Sequence, residues 1–112
     1  MMLDQATQRR ELAAALEQLI AELQELGWWD LAMPSAAALA SQQPFAADSM
    51  EFAEWLRWVF VVRLQALLDS PDSSLPTRCS IEPMAEHCYQ HQLDKVRGLL
   101  SVLKRIDQIL TQ

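Results

Sequence analysis

The stretch SMEFAEWLRWVFVVRLQALLD, residues 49–69, decides the fold that this sequence predicts. Its apolar side chains cover nearly the whole helical wheel, and only Glu54 and Gln65 mark a polar strip on one side. A helix that is apolar almost all round is enclosed by other elements of the molecule. The sequence therefore predicts a central, buried helix from about Ser49 to Asp69.

Both ends of this central helix carry sequence signals. Asp48 followed by Glu51 forms a capping-box pattern in front of the apolar run. Phe45 is expected to contact Phe52 in the manner of a hydrophobic staple. Pro71 stops the helix, because proline lacks the backbone donor that would continue it.

Two further long helices are predicted on either side of the central one. Residues 4–26 carry a leucine stripe within an arc of about 120°, and Gly27 is placed just past its end. Trp28 and Trp29 are expected to fold back over that end. Residues 92–111 carry an apolar face near 200° wide, at roughly 100° per residue, with Gly98 on the polar side.

Two short helices fill the connections. Ser35 is placed to cap a single turn over residues 36–40, and Pro83 suits the first turn of a short helix that carries Cys88. A break is expected near Gln90 and His91, because the apolar stripes on either side do not join. The predicted fold is therefore all-α, a compact antiparallel bundle of three long helices plus one or two short ones.

Composition agrees with one soluble helical domain over residues 1–112. The chain has 18 Leu and 15 Ala against 2 Gly and no Asn, which excludes glycine-rich phosphate loops and argues against hairpin-rich sheets. No apolar run approaches the ~18 residues of a membrane span, and no signal segment is recognisable before Asp4. A cytoplasmic protein is expected.

The net charge of −6 is distributed unevenly. Residues 1–56 hold nine acids and two bases, whereas residues 57–112 hold seven bases and six acids. An acidic half repels phosphate backbones, so direct binding of nucleic acid is not expected. Cys79 and Cys88 are interpreted as reduced thiols, and a disulfide between them is left open.

The segment QPFAADSMEFAEWLRWVFVVRL, residues 43–64, resembles the YqcC-like family of small bacterial helical domains. Leu75-Pro76 and Ile106-Asp107 also resemble family positions. Arg57 stands where the family has glutamine, and Val62 replaces a proline, which should straighten the helix. The resemblance implies no established activity, and it implies a genomic association with a tRNA pseudouridine synthase.

No constellation predicts catalysis or metal binding. Glu86, His87, Cys88 and His91 form the single cluster with metal-type chemistry, but the expected helix break separates the two histidines. The serines lie in loops without a glycine elbow, and no Cys-His-Asn set exists without Asn. We therefore expect no catalytic residue, cofactor or metal, and a protein that is not an enzyme.

Two tryptophans of the central helix are given different roles. Trp55 falls inside the main apolar arc and is expected in the core, whereas Trp58 falls at the rim of the polar strip. Together with Pro44, Phe45 and Arg63, Trp58 forms the candidate surface for a partner or ligand. The alternative for Trp58 is a partly buried boundary residue.

Arg63 and Asp107 each fall within an apolar stripe, where an unpaired charge costs several kcal/mol. One interpretation is an ion pair between them, and the other is that Arg63 serves an anionic ligand.

The sequence as a whole favours a non-catalytic protein-interaction domain, and the family resemblance implies that its partner is an RNA-modifying enzyme. The alternative is a small-molecule or catalytic domain with a pocket for an anionic ligand near Arg63 and the tryptophans. Self-association is left open.

Overall fold

The computed structural model describes residues 4–111, and within that range it contains helices and no strand. The elements, in chain order, are α1 (Gln5–Glu25), α2 (Ala36–Leu39), a 3₁₀ turn (Pro44–Ala46), α3 (Phe52–Trp55), a π-helical turn (Leu56–Phe60), α4 (Val61–Asp69), α5 (Glu82–Cys88) and α6 (Arg97–Leu110). The predicted all-α class is confirmed. None of the helices in this part of the chain has the length and apolar character needed to cross a bilayer.

Helix α1 follows its sequence pattern closely. Its leucine stripe, from Leu12 to Leu23, is buried. Gly27 adopts φ +78°, and the Trp28 N–H donates to the Leu23 carbonyl at 2.8 Å while the Gly27 N–H donates to Gln24 at 3.1 Å. These two bonds form a Schellman motif, in which a left-handed residue turns the chain back across the helix end. The predicted end of this helix is confirmed.

The central helix begins later than predicted. Glu51 is the N-cap of α3, its N–H donates to the Glu54 side chain at 2.9 Å, and the helix starts at Phe52. The capping box is thus Glu51 with Glu54, whereas the Asp48 carboxylate accepts from the Ser41 hydroxyl. The predicted contact of Phe45 with Phe52 is confirmed at 5.9 Å between ring centroids.

A π-helical turn interrupts the central helix and changes which side chains face the core. The Val61 N–H donates to the Leu56 carbonyl, five residues earlier, where an α-helix would use four. The extra residue rotates the following part of the helix by about 100° relative to a regular wheel. Leu56, Phe60, Val61 and Leu64 are buried in this part of the helix, and Arg63 is exposed. Val62 stands where the family has a proline, and a straight helix was therefore predicted here. That prediction is wrong, because the π-helical turn makes the helix irregular.

Helix α6 packs on α1, and the core lies between these two helices and the central one. It begins at Arg97 rather than 92, because residues 89–96 form turns after α5. The predicted break near Gln90–His91 is confirmed. Gly98 is half-buried beneath Glu22 of α1, and a Cβ atom at this position would lie 2.5 Å from a carboxylate oxygen of Glu22. The prediction that Gly98 lies on the polar side is therefore wrong, because this residue lies where α6 contacts α1.

Candidate binding site

The turn that carries Pro44 and Phe45 has an unusual backbone. Phe45 and Ala46 adopt φ values of +57° and +49°, a left-handed region that costs a non-glycine residue about 1–2 kcal/mol. The Phe45 ring contacts Trp55 edge-on at 5.0 Å and also meets Phe52. These aromatic contacts offset part of the strain and hold the ring against the central helix.

Aromatic rings continue from this turn through the molecule. Trp55 stacks on Phe60 at 5.4 Å and on Phe52 at 5.8 Å. Tyr89 meets Phe52 at 6.2 Å and stacks on Trp28 at 5.1 Å. Burial raises the pKa of the Tyr89 hydroxyl to about 12. The stacked rings give this side of the core a rigid apolar wall.

A cavity of about 310 Å³ lies against that wall. Its apolar lining includes Phe45, Trp55, Phe60, Leu64 and Leu110. A second cavity of about 270 Å³ lies between the 42–46 segment and the central helix. The two cavities share the side chains of Phe45, Trp55 and Arg63. Phe45 and Arg63 therefore border both cavities, and the exposed Pro44 lines the second one.

Two arginines line the larger cavity, and no acidic side chain of the described residues does so. Arg63 comes from α4 and Arg78 from the loop before α5, and both are exposed. Neither forms an ion pair or donates a side-chain hydrogen bond within residues 4–111. Arg78 was not predicted, because helical periodicity carries no information about a loop side chain.

The predicted ion pair of Arg63 with Asp107 is not formed in the described part of the chain. The π-helical turn directs Arg63 away from the buried face, and Asp107 accepts from backbone instead. Its carboxylate receives the N–H groups of Ile81 and Glu82, each at 2.9 Å. These groups lie at the N-terminus of α5, where donors have no partner within the helix and the dipole favours an anion.

The C-terminal end of α6 fixes the segment before α5 at a second point. Thr111 accepts from the Cys79 N–H at 2.9 Å and donates to the Cys79 carbonyl at 3.0 Å. Burial, and then a hydrogen bond to Asp107, raise the pKa of the Cys79 thiol far above its usual range, which favours the protonated thiol over the thiolate. Burial, and then the neighbouring Glu86, raise the pKa of Glu82 to about 7.

Trp55 and Trp58 are placed differently, as predicted. Trp55 is buried at 8% exposure, whereas Trp58 is half-buried. The Trp58 indole N–H donates to the Leu31 carbonyl at 2.8 Å, and the Arg57 guanidinium lies between the rings of Trp58 and Trp29, at 4.0 and 3.7 Å. Trp58 is not among the residues that line either cavity with Pro44 or Phe45, so the predicted surface divides into two parts.

The histidine and cysteine cluster does not assemble. His87 lies in α5, whereas His91 lies in the turn that follows it. Among the described residues, no group of three potential ligands is placed to hold a metal ion. Cys79 and Cys88 are both free thiols in this structure, and Cys88 is exposed.

Two residues of α1 that the sequence did not single out hold the ends of other helices. The Arg9 guanidinium donates to the Leu67 carbonyl of α4 at 2.9 Å and to the Ser73 carbonyl. The Gln8 amide donates to the Ile109 carbonyl of α6 at 2.9 Å. Gln8 thus supplies a donor to a carbonyl in the last turn of α6, and Arg9 adds to the bonds that the Leu67 carbonyl accepts from Ser70 and Ser73. No local pattern signals this role, since both acceptors are more than 50 residues away.

Comparison with known proteins places the chain in a family. A family model described as tRNA pseudouridine synthase C matches residues 11–109. The uncharacterized protein YqcC of Escherichia coli K12 is 33% identical over 85% of this chain and 84% of its own length. The chain belongs to the YqcC-like family. An uncharacterized protein of Haemophilus influenzae is 37% identical over 90% of this chain and 93% of that protein.

One relative of this YqcC-like chain carries an enzyme name. A protein of Pectobacterium carotovorum named tRNA pseudouridine synthase C is 46% identical over 48 residues, which are 43% of this chain and 13% of that protein. The similarity thus covers a small part of the larger protein. No solved structure matches the chain.

Proposed function

We propose that this YqcC-like protein is a non-catalytic interaction domain whose partner is a tRNA pseudouridine synthase. The observation that carries the proposal is the 48-residue match within a protein named tRNA pseudouridine synthase C. When a family segment is part of an enzyme chain, the segment and the enzyme are held at a high effective concentration relative to each other. Even weak contacts between them then form. The lack of a nucleophile or metal constellation in the sequence supports a role outside catalysis.

The segment before α2 supplies a surface suited to such a partner. Met33 is 61% exposed, and Leu39 at the end of α2 is 38% exposed. Arg57 and Trp58 bond the backbone at Trp29 and Leu31, which fixes the chain just before Met33. An apolar side chain on a fixed segment binds at low entropic cost. In this proposal Trp58 positions the surface instead of contacting the partner.

Charge supports the same kind of partner. Residues 1–56, which include α1 and the segment with Met33, hold nine acids and two bases. An enzyme that acts on tRNA needs cationic surface for a polyanion, and an acidic domain is attracted to cationic protein surface. The proposal implies a cytoplasmic location, where tRNA is modified. It retains the predicted antiparallel arrangement for α1 and α6, which is supported by the contacts of Gln8 with Ile109 and of Glu22 with Gly98.

The proposal is tested with the purified protein and the synthase of the same bacterium. Mixed at roughly 20 µM each, they should elute together, with a molar mass by light scattering that exceeds the synthase alone by multiples of 12.8 kDa. Met33→Glu should abolish the complex. Leu93→Glu is the matched control, since Leu93 is 44% exposed and lies outside the proposed surface. Separate elution of the two wild-type proteins contradicts the proposal.

A further inference from the structure

The larger cavity beside Arg63 combines an apolar wall with two cationic side chains. Its wall is built from aromatic rings and leucines, and its volume of about 310 Å³ lies at the lower end of the roughly 300–1,000 Å³ typical of small-molecule sites. Arg63 and Arg78 reach it from two different elements. A cavity with apolar walls and a few convergent polar groups is the usual form of a ligand site.

The two guanidinium groups at this cavity are available to a ligand. Four of the other five arginines donate to oxygen atoms of the protein: Arg9, Arg57, Arg97 and Arg105. Arg63 and Arg78 donate to none within residues 4–111, and both side chains are exposed. They need no internal partner, because water solvates them when the cavity holds no ligand.

Charge identifies the ligand that this cavity complements. The chain carries fifteen acids and nine bases, yet none of the described residues that line the cavity is acidic. Two cations without a neighbouring anion attract a negatively charged group, and the planar guanidinium favours a carboxylate through paired hydrogen bonds. The apolar wall requires that the rest of the ligand be hydrophobic.

We propose that this cavity binds a small amphipathic carboxylate, with its apolar body against Phe60 and Leu110 and its carboxylate between Arg63 and Arg78. Such a ligand places each of its parts against complementary surface. The site is separate from the Met33 surface, so the inference does not depend on the synthase partner.

Calorimetric titration of the full chain with decanoate, below its micelle concentration, tests the proposal. Saturable binding at one site is expected, and 1-decanol or acetate should bind far more weakly, because one lacks the charge and the other the apolar chain. Arg63→Gln and Arg78→Gln should each weaken the affinity roughly tenfold or more, the usual effect of losing a charge-assisted hydrogen bond. Arg63→Lys should retain part of the affinity, since lysine keeps the positive charge but lacks the paired hydrogen-bond donors of the guanidinium.

Arg97→Gln is the matched control, because it removes the same charge from a side chain that is 80% exposed and paired with Asp94. It should bind decanoate as the wild type does, and so should Met33→Glu, which separates this test from that of the partner. Circular dichroism checks that every variant is folded. The proposal is overturned if decanoate does not saturate, if decanol binds equally well, if a peptide ending in leucine binds much more tightly, or if both cavity variants match Arg97→Gln.

Discussion

Single side chains of one helix complete the ends of another helix in this molecule. Arg9 of α1 donates to a carbonyl at the C-terminal end of α4, and Asp107 of α6 accepts from the N-terminal end of α5. The signs are those that the helix dipole favours, a cation at the C-terminus and an anion at the N-terminus. Removal of Asp107 takes an acceptor from the N–H groups of Ile81 and Glu82, and removal of Arg9 takes a donor from the carbonyls of Leu67 and Ser73.

Asp107 is therefore expected to be structural. Asp107→Ala removes a carboxylate that accepts from two backbone N–H groups, and charge-assisted bonds of this kind contribute roughly 1.5–3 kcal/mol. The free energy of unfolding, measured in urea, should fall by about 2 kcal/mol. Asp94→Ala is the control, because that side chain is 95% exposed and should change stability by less than about 0.5 kcal/mol. Equal effects of the two variants would show that the bonds to α5 are unimportant.

The two tryptophans of the central helix should differ in what they contribute to stability. Trp55→Ala empties a buried aromatic site and should cost about 3–5 kcal/mol. Trp58→Ala should cost clearly less, because the ring is half-buried, although the Leu31 carbonyl and Arg57 each lose a partner. Urea unfolding of both variants makes the comparison. Indistinguishable midpoints would mean that Trp58 belongs to the core.

Features of the helices that depend on residues close in sequence could be predicted, whereas the π-helical turn could not. The leucine stripe, Gly27 and the Ser35 cap depend on neighbours within a few residues, and all three were predictable. The π-helical turn is a shift of one hydrogen-bond register within an apolar run, and it changes no residue type. It therefore left no pattern in the sequence, yet it decides where Arg63 points.

Helix α5 should make stability depend on pH through Glu82. Its pKa is raised from 4.5 to about 7 in the folded protein, so the folded state binds more protons than the unfolded state between these values. The stabilisation is present below the unfolded pKa and is lost as the pH rises through about 7. Glu82→Gln removes this loss. The free energy of unfolding of this variant, measured in urea, should therefore increase relative to that of the wild type from about pH 5 to pH 8.

The control for this pH dependence is Glu17→Gln, on the exposed side of α1. Its stability should follow the wild-type curve in parallel across the same range. If Glu82→Gln also runs parallel to the wild type, then Glu82 does not hold its proton more tightly in the folded protein.

At the scale of the whole molecule, the sequence predicted the class and the core but not the composition of the site. Arg63, Pro44 and Phe45 were singled out and do lie together, because one helix and its preceding turn place them. Arg78 comes from a loop, and Trp58 lies outside the lining of both cavities, in contact with Arg57. Such associations are set by tertiary packing, which single-helix periodicity does not contain.

The π-helical turn separates Arg63 from Asp107 and leaves Arg63 at the cavity. A double-mutant cycle with Arg63→Met and Asp107→Leu, measured as free energy of unfolding in urea, tests this separation. The structure predicts that Arg63→Met alone has little effect and that the two changes add within about 0.5 kcal/mol, as for independent sites. A coupling energy above about 1 kcal/mol, with the double variant recovering what Asp107→Leu loses, would contradict the claim and restore the ion pair.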